Sequence, residues 1–283
     1  MVGSAATYAT IKRVLEADSA KYKNREFNVF LQGSYGNDTN TYAESDVDIV
    51  ICYYGAFYFD ISPLSAESQV AFRASLAGPV SYSYESFKGH VEEALRSAFG
   101  ESVKPGKKAI RIEADGARRS ADVIVAFEFR RYYRFNSNDD CDYYSGISFF
   151  TSSGTRVDNF PKYHSDNATA RHQEANQNYK PLIRIFKNMR RKLINDGVLN
   201  EQDAPSYFIE GLLYNVPTEK LTGPLSSMVF NTLKWLHDTP DRDAFVCVNK
   251  QHYLIRDNES VCWPKANCTK FINAAINLWN NWR

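Results

Sequence analysis

The chain has 283 residues, 43% of them hydrophobic and 24% charged, which is enough apolar material for one large domain or two modest ones. Its formal net charge of +1 excludes a histone-like polycation, so any site for anions must come from local clustering of basic side chains. Neither a membrane span of ~18 apolar residues nor the apolar core of a signal peptide occurs, and five cysteines without a secretory signal predict reduced thiols in the cytoplasm.

The first half of the chain alternates short β-branched and aromatic runs with two helical patterns. The predicted strands are Phe27–Leu31, Val47–Tyr54, Ala109–Glu113, Ala121–Phe129 and Ile147–Thr151. The predicted helices are Ala66–Leu76 and Tyr84–Phe99, and the second repeats large apolar residues at every fourth position, which is typical of a buried stripe.

The second half of the chain has a helical pattern. A polar, Asn-rich stretch, Ser165–Asn178, separates it from the first half, and we interpret that stretch as a loop. Four later stretches fit a period of 3.6 residues: Asn178–Ile194, Ser206–Tyr214, Pro224–His237 and Cys268–Trp282. These patterns predict an α+β chain, in which a mixed half up to about Phe160 precedes a helical half. The cleft between the halves is the default ligand site.

The most informative segment joins a Gly-Ser turn to a pair of acids. The strand that ends at Leu31 is followed by Gln32, Gly33 and Ser34, a turn whose backbone N–H groups and hydroxyl suit a phosphate. Asp46 and Asp48 follow in an alternating strand, where a period of two places both carboxylates on one face. Two adjacent carboxylates repel each other unless a cation lies between them, and oxygen ligands favour Mg²⁺ or Mn²⁺.

A third acid on a later strand completes this pattern. Asp122 opens an otherwise apolar strand, where a carboxylate without a partner would be costly. Taken singly, an Asp-x-Asp pair and a Gly-Ser dipeptide are most often ordinary turn chemistry, but the combination favours a catalytic site with two metal ions. Asp115-Gly116 lies between these motifs and is better interpreted as a hairpin turn than as part of the site.

These residues resemble a known family. Gly33-Ser34 with Asp46, Asp48 and Asp122 is similar to the polymerase-β-type nucleotidyltransferase superfamily. Within it, the Gly-Ser and Asp-x-Asp segments resemble the bacterial cGAS/DncV-like nucleotidyltransferases (CD-NTases). Further segments resemble the CdnE clade of that family: Phe160–Lys162, Tyr179–Asn188, Ser206–Glu210, Leu278-Trp279 and Trp282.

The resemblance implies an architecture and a reaction. It implies a polymerase-β-like catalytic core over residues 1–160, a mixed sheet with helices, and a helical lobe over residues 161–283 that completes a nucleotide-binding cleft. The implied activity is synthesis of a cyclic di- or trinucleotide from NTPs in anti-phage (CBASS-type) signalling, with a separate effector protein that reads the product. Asp46, Asp48 and Asp122 would bind two Mg²⁺ ions, with Mn²⁺ as a substitute, and Gln32, Gly33 and Ser34 would bind the nucleotide.

A basic helix follows the polar stretch. Lys180, Arg184, Lys187 and Arg191 share one helix face, opposite an apolar face. The resemblance carries Lys187, Ser206 and Tyr207 onto triphosphate and base contacts, with Lys180 and Arg184 as neighbours. Core packing explains Tyr207 equally well.

Two residues of the polar stretch are candidates for base selection. The family has a residue near here that separates uracil from purine preference, and an Asn there suggests a pyrimidine such as UTP. The alignment leaves open whether Asn167 or His172 holds that place, and either could simply be solvated.

A candidate zinc site lies near the end of the chain. Its candidate ligands lack the short Cys-x2-Cys spacing of a zinc knuckle, so we expect no zinc at Cys247, His252, Cys262 and Cys268.

The expected partners are NTPs, with UTP and ATP as candidates, and we expect a monomer that needs neither a membrane nor an obligatory nucleic acid. Three alternatives remain open at this point: a transferase that modifies an RNA end or a protein, a non-catalytic nucleotide-binding module, and an RNA-activated sensor. The last would use a basic cluster that we interpret as a solvated surface: Lys104, Lys107, Lys108, Arg111, Arg118 and Arg119.

Overall fold

The computed structural model describes residues 3–41, 46–76, 78, 80–259 and 261–281. It divides into two compact units, one made of Met1–Gly36 with Ser45–Pro161 and the other of Asn37–Glu44 with Lys162–Arg283. The short segment Asn37–Glu44 therefore groups with the helical unit, a division that no sequence pattern indicates. Among the described residues, no helix has both the length and the apolar character that a membrane crossing requires.

A seven-stranded sheet forms the centre of the first unit. Its strands are β1 (Phe27–Leu31), β2 (Val47–Asp60), β3 (Val103–Pro105), β4 (Ile110–Ile112), β5 (Ala121–Ser137), β6 (Asp140–Phe150) and β7 (Arg156–Asn159). The order is β1-β2-β5-β4-β3; the far part of β5 also pairs with β6, which pairs with β7. β2 and β5 run parallel to each other in the middle, and the other pairs are antiparallel.

The apolar runs of β2 and β5 explain this placement. Residues 47–53 of β2 are buried apart from Asp48, and the first half of β5 follows the same pattern. Near-continuous apolar strands of this kind belong in the middle of a sheet that is covered on its faces. The helices of this unit are α1 (Ser4–Leu15), the short α2 (Gly33–Gly36), α3 (Ala66–Ser75) and α4 (Tyr84–Phe99). α4 buries the predicted stripe of Phe87, Val91 and Leu95.

The second unit contains five helices within its described residues: α5 (Pro161–Glu174), α6 (Tyr179–Asn195), α7 (Ser206–Tyr214), α8 (Leu225–Asp238) and α9 (Lys265–Asn280). The long apolar face predicted for α6 is confirmed, because Leu182, Ile183, Phe186 and Leu193 are buried in the core of this unit. The predicted bounds of α4 and α7 agree with the structure at both ends. The end predicted for the last helix, Trp282, lies outside the described residues, as does Ser45 of the acidic motif.

The interpretation of Ser165–Asn178 as a loop is wrong. α5 covers most of that stretch, from Pro161 to Glu174. Its buried residues are His164, Ala168 and Arg171, at i, i+4 and i+7, so it buries one face as other helices do. Two of these three side chains are polar and the third is small, so a search for hydrophobic periodicity does not detect the helix.

Candidate active site

The Gly-Ser turn lies directly against the acidic strand. The backbone N–H of Gln32 donates to the carbonyl of Asp48 at 3.0 Å, and Gly33 opens the four-residue helix α2 with a φ of +68°. A Cβ at Gly33 would overlap Oδ2 of Asp48, so only glycine leaves room for that carboxylate. The two halves of the predicted motif are therefore in contact within the first unit.

The alternation predicted for the acidic pair is confirmed. Val47 and Ile49 are fully buried, whereas Asp46 and Asp48 remain partly exposed. Val47 donates its N–H to the carbonyl of Ser120 at 3.0 Å, which starts the pairing of β2 with β5. In that parallel register Asp48 is the partner of Asp122. The third predicted acid therefore lies beside the pair.

A cation that the sequence did not assign to the site faces these acids. Arg111, on β4, is the register partner of Asp122, and its Nη1 lies 3.1 Å from Asp46 Oδ2 and 3.8 Å from Asp122 Oδ1. Ser120 adds a hydroxyl that donates to Asp46. Burial raises the pKa of Asp122, Arg111 lowers it and Asp46 raises it again, so that the pKa ends above its ordinary value.

The predicted turn at Asp115-Gly116 is the sequence signal that could have placed Arg111 beside the acids. Asp115 N–H donates to the Arg118 carbonyl at 3.2 Å and Gly116 has a φ of +81°, which confirms the predicted hairpin between β4 and β5. The hairpin brings Arg111 back against the start of β5. The basic cluster to which we assigned Arg111 is divided: Lys104, Lys107 and Lys108 are exposed, whereas Arg118 is buried and 2.7 Å from Asp115.

The donor set of this site fits a divalent cation. Asp48 and Asp122 on adjacent strands, with Asp46 directly before the first of these strands, offer the hard oxygen ligands that Mg²⁺ and Mn²⁺ prefer. The side-chain oxygen of Gln32, beside Gly33, is buried and has no hydrogen-bond partner among the described residues. Within the same residues, no three His, Cys, Asp or Glu side chains are already gathered in a metal-binding arrangement, and Arg111 bridges two of the acids. A metal ion that took these same two oxygens would have to displace Arg111.

The basic residues predicted on α6 contact the segment that groups with their own unit. Arg184 Nη2 donates to the carbonyl of Asp38 at 2.7 Å and to its Oδ1 at 2.9 Å. Lys187 is buried, and its Nζ lies 2.8 Å from Glu210 Oε1 and 3.2 Å from the carbonyl of Thr39. These two side chains have protein partners here, and their predicted contacts with triphosphate stay predictions.

The remaining predicted residues also lie in the helical unit. Ser206 begins α7, and Tyr207 packs against the helical core, where its hydroxyl accepts a hydrogen bond from Asn249 at 3.0 Å. Asn167 donates to the carbonyl of Val248 at 2.8 Å.

The two other predicted residues of this unit, His172 and Lys180, contact each other. Lys180 is buried, and its backbone N–H donates to His172 Nδ1 at 3.4 Å. Burial, followed by the charge of Lys180, lowers the pKa of His172. The imidazole is therefore mainly neutral at neutral pH.

The cysteines of the second unit lie in its core. Cys247, Cys262 and Cys268 are all buried. The thiols of Cys247 and Cys262 donate to the same carbonyl, that of Tyr253, at 3.6 and 3.1 Å. Burial raises the pKa of Cys247 to about 11 and that of Cys262 to about 12, so both remain protonated at neutral pH.

Comparisons with known proteins agree on one family. Residues 166–280 match the cGAS/DncV-like nucleotidyltransferase C-terminal helical domain. The chain is 37% identical to the cyclic nucleotide synthase CdnE01 of Staphylococcus haemolyticus over 278 residues, which cover 96% of this chain and 91% of the relative. It is 35% identical to the cyclic UMP-AMP synthase of Rhodothermus marinus, over 98% of this chain and 92% of the relative.

Solved structures give the same result. The structure of the Rhodothermus marinus CdnE c-UMP-AMP synthase with Apcpp and Upnpp matches with a TM-score of 0.86 and 34% identity, over 99% of this chain and 91% of that one. The structure of the Elizabethkingia meningoseptica CdnE cyclic dinucleotide synthase with GTP and Apcpp matches with a TM-score of 0.76 and 28% identity, over 95% and 89%. These matches span both units.

Proposed function

Because the chain belongs to the CdnE clade of the cGAS/DncV-like nucleotidyltransferases, we propose that it joins NTPs without a template into a cyclic di- or trinucleotide and releases pyrophosphate. The observation that carries this proposal is the contact of the Gly33 backbone with the carboxylate of Asp48, beside Asp122. A phosphate-binding turn and a set of acids are thereby held together, as nucleotidyl transfer requires. A degenerate, non-catalytic module would have no need of this arrangement.

The residues of the first unit divide the work between them. Asp46, Asp48 and Asp122 would hold two divalent cations, Mg²⁺ or Mn²⁺, which when bound acidify the attacking ribose hydroxyl and neutralise charge on the triphosphate. Gly33 and Ser34 donate backbone N–H groups and a hydroxyl to the phosphates, and Gln32 lies at the same turn. Positioning and charge neutralisation suffice for this reaction, so no histidine is needed as an acid or base.

The helical unit contributes proposals of a different kind. Lys180, Arg184, Lys187, Ser206 and Tyr207 are proposed nucleotide contacts, on the strength of the family resemblance. Asn167 and His172 are proposed to select the base, with UTP as a candidate substrate. The relatives include a UMP-AMP synthase, and another is named a cyclic dipurine nucleotide synthase, so membership of the clade is compatible with more than one pair of bases.

The proposed biological setting is anti-phage signalling of the CBASS type. Two rounds of transfer at the same site would close the ring, and a separate effector protein would read the product. We propose that the chain acts as a cytoplasmic monomer and needs no nucleic acid.

The test is incubation of the purified protein with each α-³²P-labelled NTP in turn, the other three unlabelled, with Mg²⁺ or Mn²⁺. Products are treated with phosphatase and separated by thin-layer chromatography. A small phosphatase-resistant product that is absent with Asp48→Asn supports the proposal and identifies the bases. Label that appears only on added RNA or protein would instead establish a transferase that modifies a polymer.

A further inference from the structure

A buried ion pair in the helical unit joins Lys187, a proposed nucleotide contact, to Glu210, a residue without a role in the chemistry proposed above. Lys187 Nζ lies 2.8 Å from Glu210 Oε1, and the two side chains are 1% and 5% exposed. The same oxygen of Glu210 accepts a hydrogen bond from the hydroxyl of Thr39 at 2.7 Å. Its other oxygen lies 2.7 Å from His164 Nε2. Glu210 is thus the centre of a network that joins α5, α6 and α7 to the segment that contains Thr39.

Such a network is an inefficient way to stabilise a fold. Burial of two charges carries a large desolvation cost, and apolar side chains of similar volume often stabilise a core at least as well. A buried pair does, however, impose geometry, because each misplaced partner leaves an unsatisfied charge. Glu210 is therefore better suited to hold Thr39 in one place than to add stability.

Thr39 lies between the two halves of the catalytic motif in the sequence, so contacts that hold Thr39 bear on the proposed active site. Thr39 follows α2, which begins with Gly33 and Ser34, and precedes the acids Asp46 and Asp48. Thr39 is fully buried, and its carbonyl also accepts a hydrogen bond from Lys187 at 3.2 Å. The described stretch that follows α2 is therefore held at Thr39 by side chains of α6 and α7.

A second, independent contact fastens the same segment. Arg184, one turn before Lys187 on α6, donates to both the carbonyl and the carboxylate of Asp38. Asp38 has a φ of +53°, a conformation that is uncommon for residues other than glycine. Two neighbouring residues of one connection are thus held by two cations of one helix.

We propose that Glu210 is a positioning residue for the nucleotidyl transfer: through Thr39 it fixes residues 37–41, the described stretch that follows the phosphate-binding turn. This inference rests on the proposed function. It gives Glu210 no contact with the substrate, because the carboxylate is occupied by Thr39, Lys187 and His164.

The test compares Thr39→Val, which removes the hydroxyl at constant shape, with Thr39→Ser, which restores it. Glu210→Gln is the second disruptive variant. The matched control is Thr218→Val, because the Thr218 hydroxyl donates to Glu174 at 2.9 Å in a network that also contains Arg171. Each protein is measured for kcat and KM with NTPs, for melting temperature, and for hydrogen exchange of the amides in residues 33–41.

We expect Thr39→Val and Glu210→Gln to lower kcat by between about 10-fold and 100-fold, as misplaced reacting groups do, with a smaller change in KM. Exchange in residues 33–41 should become faster in both, and Thr39→Ser should restore both readings. Unchanged exchange and kcat in Thr39→Val, or an equal loss of kcat in Thr218→Val, would overturn the proposal. If the wild type makes no nucleotide product, the proposed function fails, while the exchange measurement still reports whether Glu210 and Thr39 hold the segment.

Discussion

The two units of this protein each place carboxylates beside a cation, with opposite results. In the sheet, Asp46, Asp122 and Arg111 are 39%, 32% and 45% exposed, and their contacts are 3.1 and 3.8 Å long. Among the helices, Glu210 and Lys187 are almost completely buried and 2.8 Å apart. Exposure leaves the first group able to exchange its cation for another, whereas burial commits the second to the fold.

The acidity of the two groups follows the same division. Burial alone would raise the pKa of Glu210, but the hydrogen bond with His164 and the charge of Lys187 outweigh it and lower the pKa to about 2. Burial also raises the pKa of Asp122, and there Arg111 does not compensate fully because Asp46 adds a like charge. A carboxylate that is poorly compensated by the protein is the one that gains most from an added cation.

Glu210→Ala should therefore have the largest effect on stability. Removal of one partner leaves the buried charge of Lys187 without compensation, and we expect the free energy of unfolding to fall by about 3–5 kcal/mol. Asp46→Ala, at the exposed group, should change it by less than about 1 kcal/mol. Urea denaturation at neutral pH measures both, and losses of equal size would remove the distinction between the two groups.

Gly33→Ala should have the largest effect on activity among changes that keep every charge. An added Cβ overlaps the Asp48 carboxylate, and we expect kcat to fall about 100-fold because the reacting groups are displaced. Gly116→Ala is a matched control, since its φ of +81° is also positive but an added Cβ there meets nothing within 4 Å. That variant should keep its kcat, and a similar loss in both would attribute the effect to backbone strain.

The pH dependence of stability should distinguish the buried pair. Because the pKa of Glu210 is about 2 in the folded protein and 4.5 for an ordinary solvated glutamate, the unfolded state binds the proton first as the pH falls. The contribution of Glu210 is complete above about pH 5 and is lost progressively toward pH 2. The difference in unfolding free energy between wild type and Glu210→Gln should shrink over that range, and a constant difference would contradict the assignment.

Arg111→Gln should strengthen the binding of a divalent cation to the exposed acids of the sheet. The guanidinium competes with a cation for Asp46 and Asp122, so its removal should tighten Mn²⁺ binding by about fivefold, the equivalent of about 1 kcal/mol for an exposed charge pair. Titration of Mn²⁺ by electron paramagnetic resonance measures this without turnover. Lys107→Gln removes the same charge from an exposed position outside the group and should leave Mn²⁺ binding nearly unchanged.

The smallest expected effect concerns the choice of base. Asn167→Ala removes one neutral amide, and in a mixture of NTPs it should lower incorporation of UMP relative to AMP by less than about tenfold. His172→Ala is the counterpart. A shift in base ratio confined to the His172 variant would assign base selection to that residue instead.

Agreement between sequence and structure was best where a local period carries the information. Patterns of residues a few positions apart predict the strand Phe27–Leu31 and the start of β2 at Val47. They also predict the buried stripe of α4 and the shared face of Asp46 and Asp48. The helix α5 was missed for the converse reason, since its buried face contains His164 and Arg171 rather than apolar side chains. The distant partners of these residues, Glu210 for His164 and Thr218 for Arg171, leave no signal within the sequence of α5.

By itself the sequence determined most of the elements, the Gly-Ser turn with its acids, and the family, because each depends on spacings of a few residues or on motifs that can be compared directly. Only the tertiary structure decided which charges face each other. Arg111 and Asp46 are 65 positions apart, and Thr39 and Glu210 are 171 apart. Sheet register and helix packing bring such pairs together, and the burial that results determines whether a charge serves the fold or remains available to a ligand.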